Sequence, residues 1–156
     1  MLLEAFSVNE SQEGVSLNKR KYFDTYKLHI LMMYNGITNM NTKQIAEAIS
    51  HHQFEKAYEH FSDDITWNMI GGEVIRGKAE VKKICEESAT YLATVKTTFT
   101  KSKTFVGENF VVIDSSAEYL DDKNEKSIVS SCDIYEFEDT KLVEITSYNI
   151  ELPQTS

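Results

Sequence analysis

The chain has 156 residues, 41% of them hydrophobic and 11% aromatic, enough to enclose the core of one domain without calling for a second. With 25 acidic against 16 basic residues the net charge is −9, and the imbalance lies entirely after residue 39, because the charges before it cancel. Such a surface repels phosphate backbones and argues against nucleic acid as the main partner. The longest strongly apolar run, residues 28–34, is too short to span a bilayer. Residues 1–20 lack the basic start, apolar centre and small-residue cleavage site of an export signal. No membrane partner is therefore expected, and the expected compartment is the cytoplasm.

Residues 1–39 show no sustained period, yet Tyr22, Phe23, Tyr26, Leu28 and residues 30–34 make them too apolar for an ordinary disordered tail. Two readings stay open for this N-terminal extension. Either residues 22–34 form an added helix, or translation starts at Met40 and the preceding segment is upstream sequence. From Met40 the signals agree. Asn41 followed by Gln44 predicts a capping box, and Ile45, Ala48, Ile49 and His52 then share one helical face. The polar step at residues 51–53 interrupts the helix. Phe54, Ala57, Tyr58 and Phe61 predict a second one, ended by Ser62, Asp63 and Asp64, with a short strand at 65–69.

Gly71, Gly72 and Gly77 bracket an extended piece at 73–76. Over residues 78–92 the positions Val81, Ile84, Cys85, Ser88 and Leu92 form an apolar or small stripe opposed by lysines and glutamates, which predicts an amphipathic helix. The period then changes to two. Strands are expected at 95–106, 110–120, 126–137 and 141–151, joined by short turn compositions that imply an antiparallel meander. Pro153 follows the last strand, where it costs no ladder hydrogen bond. The fold class is therefore α+β, with N-terminal helices packed on a curved, mostly antiparallel sheet. Strands of this length curl, and curling around a helix leaves a cavity open at one end.

The order of these pieces carries a resemblance. Phe61-Ser62-Asp63-Asp64-Ile65-Thr66-Trp67, the glycine turn from Gly72 to Gly77-Lys78, the amphipathic helix, and the closing hairpin of residues 133–137 with 141–143 resemble the nuclear transport factor 2-like superfamily. The likeness is greatest to its SnoaL-like and ketosteroid-isomerase-like branches, and it covers about residues 41–151, within a domain expected at 40–152. It implies a cone-shaped half-barrel with an apolar pocket, usually dimeric through the outer face of the sheet. Members include isomerases, cyclases, hydratases, epoxide hydrolases and non-catalytic binding domains, so the fold alone does not decide function.

The steroid isomerases' residues can be carried over one by one. Their proton-shuttling aspartate falls on Met69, which cannot carry a proton, and their oxyanion tyrosine falls near Ile45, equally inert. Their second, protonated acid falls on Asp133, where the residue type is retained. The epoxide hydrolases need an Asp-Arg-Asp set, and Arg76, the only arginine after residue 39, sits in the turn segment.

Asp133 is the candidate catalytic residue. Val129, Ser131, Asp133, Tyr135 and Phe137 share one strand face, and its aromatic residues suit the pocket side. A carboxyl among apolar groups keeps its proton to higher pH and can act as an acid. The alternative is an aspartate on the open rim, solvated or bonded to a turn amide. Trp67, Met69, Tyr58, Tyr91, Tyr119, Tyr135 and Phe137 are the candidate ligand-binding residues, an aromatic and sulfur-rich wall for a small apolar or aromatic molecule. Each could instead be plain core. The opposite face, with Ile128, Cys132 and Ile134, is apolar and outward, which predicts a homodimer.

His29, His51, His52 and His60 show no metal-binding spacing, so neither a metal nor another cofactor is expected. His51 and His52 read as solvated residues at the helix junction. Cys85 and Cys132 read as buried free thiols. Two functions remain, a non-catalytic domain that binds a small molecule and a cofactor-independent isomerase or cyclase with Asp133 as its acid. The missing base at position 69 favours the first.

Overall fold

The computed structural model describes residues 40–153. The segment before Met40, with its two open readings, lies outside the described residues. Helix α1, Thr42–Ser50, opens on the expected capping box. The Asn41 side chain accepts from the Gln44 N–H at 2.9 Å, and the Asn41 N–H donates to Gln44 Oε1 at 3.0 Å. Two of the four orphan donors of the helix start are thereby satisfied. Ile45, Ala48 and Ile49 turn inward and are buried.

The second predicted helix, over 54–61, is corrected to two 3-10 turns, Phe54–Lys56 and Tyr58–His60. His52 adopts φ of 63°, which no right-handed helix can absorb, so α1 stops and the chain restarts. Phe54 with Ala57 and Tyr58 with Phe61 are then three apart, which is the period of a 3-10 turn. The Ser-Asp-Asp stretch also differs from expectation. It belongs to strand β1, Phe61–Met69, where pairing slips between Phe61 and Thr66 and leaves both aspartates exposed.

Strand β2, Val74–Arg76, pairs back on β1. Gly77 follows with φ of 87°, a conformation that L side chains rarely adopt, and its N–H donates to the Ile65 carbonyl at 2.7 Å. This fixes the start of helix α2, Lys78–Leu92, against β1. Val81 and Cys85 are its buried positions, and Ile84 and Leu92 pack on the core edge.

Strands β3 (Lys96–Val106), β4 (Phe110–Leu120), β5 (Lys126–Glu138) and β6 (Lys141–Glu151) form the expected antiparallel meander. The six-stranded order is β2-β1-β6-β5-β4-β3, and β1 with β6 is the parallel pair. Bulges at Thr100 on β3 and at Val143 on β6, opposite the Glu136–Phe137 step of β5, bend the long strands. The result is an α+β cone, two helices on one face of an open curved sheet. Its closed end is a core of Phe61, Ile65, Val111, Ile113, Tyr135, Phe137, Leu142 and Ile145, together with the inward residues of both helices.

Candidate functional site

Past that core the inner face of the sheet turns polar. Direct pairing sets Ser115 opposite Ser131, and Ser147 opposite Asp133, all on the concave side. A cavity of about 670 Å³ lies above them. Its roof is the end of α1 with His52 and the α2 residues Ile84, Glu87, Ser88 and Tyr91. Phe99, Tyr119 and Trp67 supply aromatic walls from β3, β4 and β1.

A hydrogen-bonded chain runs along the floor. Trp67 Nε1–H donates to Ser147 Oγ at 2.9 Å, and the Ser115 and Ser131 hydroxyls meet at 2.7 Å. The Asp133 carboxyl lies beside the Ser147 and Ser131 hydroxyls, whose hydrogen bonding pulls its pKa down. An indole N–H can only donate, so Ser147 accepts from it and keeps its own proton free to face Asp133. Ser131, hydrogen-bonded to Ser115, places a second hydroxyl beside Asp133. Burial pushes the Asp133 carboxyl above its ordinary range, and the two serine bonds pull in the opposite direction without cancelling it.

The neighbours feel this group. Burial raises the Tyr119 phenol, and the Asp133 charge raises it further. Tyr135, fully buried behind the aspartate, is held well above its ordinary range by the same two causes in the same order. His52 is corrected from a solvated junction residue to a cavity-lining one. Its ring lies 5.3 Å from Phe99 and 6.1 Å from Tyr119, and burial, followed by the adjacent His51, lowers its pKa. The imidazole is thereby held neutral near pH 7.

The expected site residues separate into two groups. Asp133, Trp67, Tyr91, Tyr119 and Tyr135 line the cavity together. Tyr58, Met69 and Phe137 lie elsewhere: Tyr58 packs edge-on against Phe61 beneath the Lys82 ammonium, Met69 packs at the core edge, and Phe137 is buried in the closed end. Ile45, at the position of the isomerases' tyrosine, is also core. The sequence reading missed His52, Phe99, Glu87 and the serines as site residues. His52 did carry a signal, since it shares the inward face of Ile45, Ala48 and Ile49. Cys85 is a packed thiol that burial pushes up to about 12, and the described residues contain no group of three metal-ligating side chains.

Comparison with known proteins locates the chain. A structure of an NTF2-like protein of unknown function from Cytophaga hutchinsonii is similar at 36% identity and a TM-score of 0.61, over 68% of this chain and 93% of that one. A proposed SnoaL-like polyketide cyclase from Mesorhizobium loti is similar in fold at 15% identity and a TM-score of 0.51, over 69% and 94%. So is a protein of ketosteroid isomerase-like fold from Catenulispora acidiphila, solved with trimethylamine, at 13% identity and a TM-score of 0.54, over 69% and 86%. No curated protein matches. The SnoaL-like domain family matches residues 42–145, more than half of the chain, and the protein belongs to that family.

Proposed function

We propose that this SnoaL-like domain binds a small molecule with an apolar or aromatic body and performs no chemistry on it. One observation carries the reading: a cavity of about 670 Å³, walled by Trp67, Phe99 and Tyr119, that ends on a half-buried carboxyl flanked by two serine hydroxyls. A few convergent polar groups in an apolar cleft are the usual form of a small-molecule site. The solved complex of a fold relative with trimethylamine and the naming of another as a proposed cyclase agree with a small ligand. Trp67 is the only tryptophan, so its emission reports on the wall directly. Titration with 1-naphthol should change that emission to saturation, and Ser88→Phe, which fills the cavity from α2, should abolish the response. An unchanged response in Ser88→Phe would move the binding elsewhere.

A second reading is supported by His52, a neutral imidazole lining the same cavity as Asp133. As a cofactor-independent isomerase or cyclase, the domain would use Asp133 as the acid and His52 as the base missing at Met69. The two readings need opposite states of Asp133, a carboxylate that anchors a ligand or a carboxylic acid that donates. Any turnover found for a bound molecule should vanish in both Asp133→Asn and His52→Gln. Turnover that survives either change argues against this pair.

We further propose a homodimer through the outer face. Val112 and Ile134, Cys132 and Tyr148, and Ser130 and Ile150 are cross-strand pairs there, with Phe105 at 56% and Ile150 at 62% exposure. A monomer by sedimentation at micromolar concentration would exclude it. The unpaired thiols Cys85 and Cys132 suit a reducing compartment, consistent with the cytoplasm. No helix among the described residues is long and apolar enough to cross a membrane. We take residues 40–152 as the working domain and 1–39 as an extension to it.

A further inference from the structure

The charge of the cavity is one-sided. Its lining contains the carboxylates of Asp133 and Glu87 and no lysine or arginine, and its one histidine is held neutral. At the floor, Ser147 accepts from the donor-only indole of Trp67 and keeps its own proton free to face Asp133, so the serines offset part of what burial costs the carboxylate and a ligand's counter-charge would offset the rest. At the mouth, an adjoining depression shares Tyr91, Tyr119, Ser127 and Val129 with the cavity. It adds Asp121, Glu125 and Glu151 against one lysine, Lys126, which is itself 3.1 Å from Glu118. Between mouth and floor stand the aromatic side chains of Trp67, Phe99 and Tyr119. An uncharged ligand would use the walls but leave the half-buried carboxylate without a counter-charge. A carboxylate or phosphate ligand would meet like charge along the whole path.

We infer that the cavity selects an organic cation, a small ammonium ion with an apolar or aromatic body, its charge toward Asp133 and its body against Trp67, Phe99 and Tyr119. Coulombic attraction and cation–π contact act together on such a ligand, and both strengthen as water is excluded. The acidic mouth concentrates it before it enters. This inference rests on the reading of the cavity as a small-molecule site and adds the sign of the ligand's charge.

The test compares probes of matched shape on the wild-type protein by calorimetry and Trp67 emission: phenyltrimethylammonium, its uncharged isostere tert-butylbenzene, and the anion phenylacetate. The cation should bind about tenfold or more tightly than the isostere, as expected for one charge-assisted, partly desolvated contact. Phenylacetate should not bind. Asp133→Asn should remove most of the cation's advantage and leave tert-butylbenzene unchanged. Glu87→Gln, at an exposed position that folding does not depend on, should reduce the advantage by a smaller factor. Equal binding of cation and isostere, or preference for the anion, overturns the inference while leaving the small-molecule site in place. Failure of all three probes overturns both.

Discussion

Strand β5 presents two unlike surfaces from one run of residues. On its concave side, Val129, Ser131, Asp133 and Tyr135 face a cavity and are covered by helices, so each polar atom there must find a partner within the protein. On its convex side, Ile128, Ser130, Cys132 and Ile134 lie on a mixed face, where the apolar Val112, Tyr148 and Ile150 alternate with Asp114, Ser116, Glu118 and Thr146 and water is the alternative partner. The same alternation thus yields a covered floor with polar groups and an uncovered face with exposed apolar ones, a departure from the ordinary inside-out distribution. The difference teaches that the helices, more than the strand's own composition, decide which face becomes a site.

The largest expected effect tests the covered side. Ile113→Ala, at a fully buried position on the concave side, should cost about 2–5 kcal/mol in urea unfolding, while a loss below 1 would mean that this end is loosely packed. Next comes Gly77→Ala, which forces a side chain onto the positive-φ residue that seats α2 over the cavity. It should cost about 1–2 kcal/mol.

The charge on the floor gives a pH signature. Burial raises the folded pKa of Asp133 above its unfolded value. Its contribution to stability is therefore full below the ordinary carboxylate range and is lost as pH rises through the folded pKa. Asp133→Asn, neutral throughout, should melt a few degrees above the wild type at pH 7, and the gain should disappear in acid, where the wild-type residue is itself protonated. A gain that persists in acid would trace to packing rather than charge. The smallest effect belongs to the convex side. Ile150→Ala should change protomer stability by no more than about 0.5 kcal/mol, and its consequence should appear instead in sedimentation as weaker self-association.

Much of this comparison is legible in the chain. Period-two patterning and turn compositions place β4 and β6 at their observed limits, and the i, i+3, i+4 stripe places α2 over Lys78–Leu92. What escapes is whatever depends on partners far away in sequence. Ser115 and Ser147 become site residues only because the register of β4, β5 and β6 sets them beside Ser131 and Asp133. The 3-10 turns escape because Phe54, Ala57, Tyr58 and Phe61 fit a helical stripe as well as two turns, and a single backbone angle at His52 decides between them. Met69 and Phe137 have the right chemistry and the right strand face for a pocket wall, but Met69 packs at the core edge and Phe137 in the closed end, and alternation alone does not say how far along a strand the cavity reaches.

The sheet order also constrains how the chain is made. β6 lies between β1 and β5, so the strand synthesised last among the described elements joins two parts made earlier. Until residues 141–151 have emerged from the ribosome, β1 and β5 each hold an unpaired edge, and an edge of that kind invites pairing with other chains. A nascent chain stalled before residue 141 would thus have its Asp133 floor synthesised but missing Ser147, and its β-edges open to chaperones.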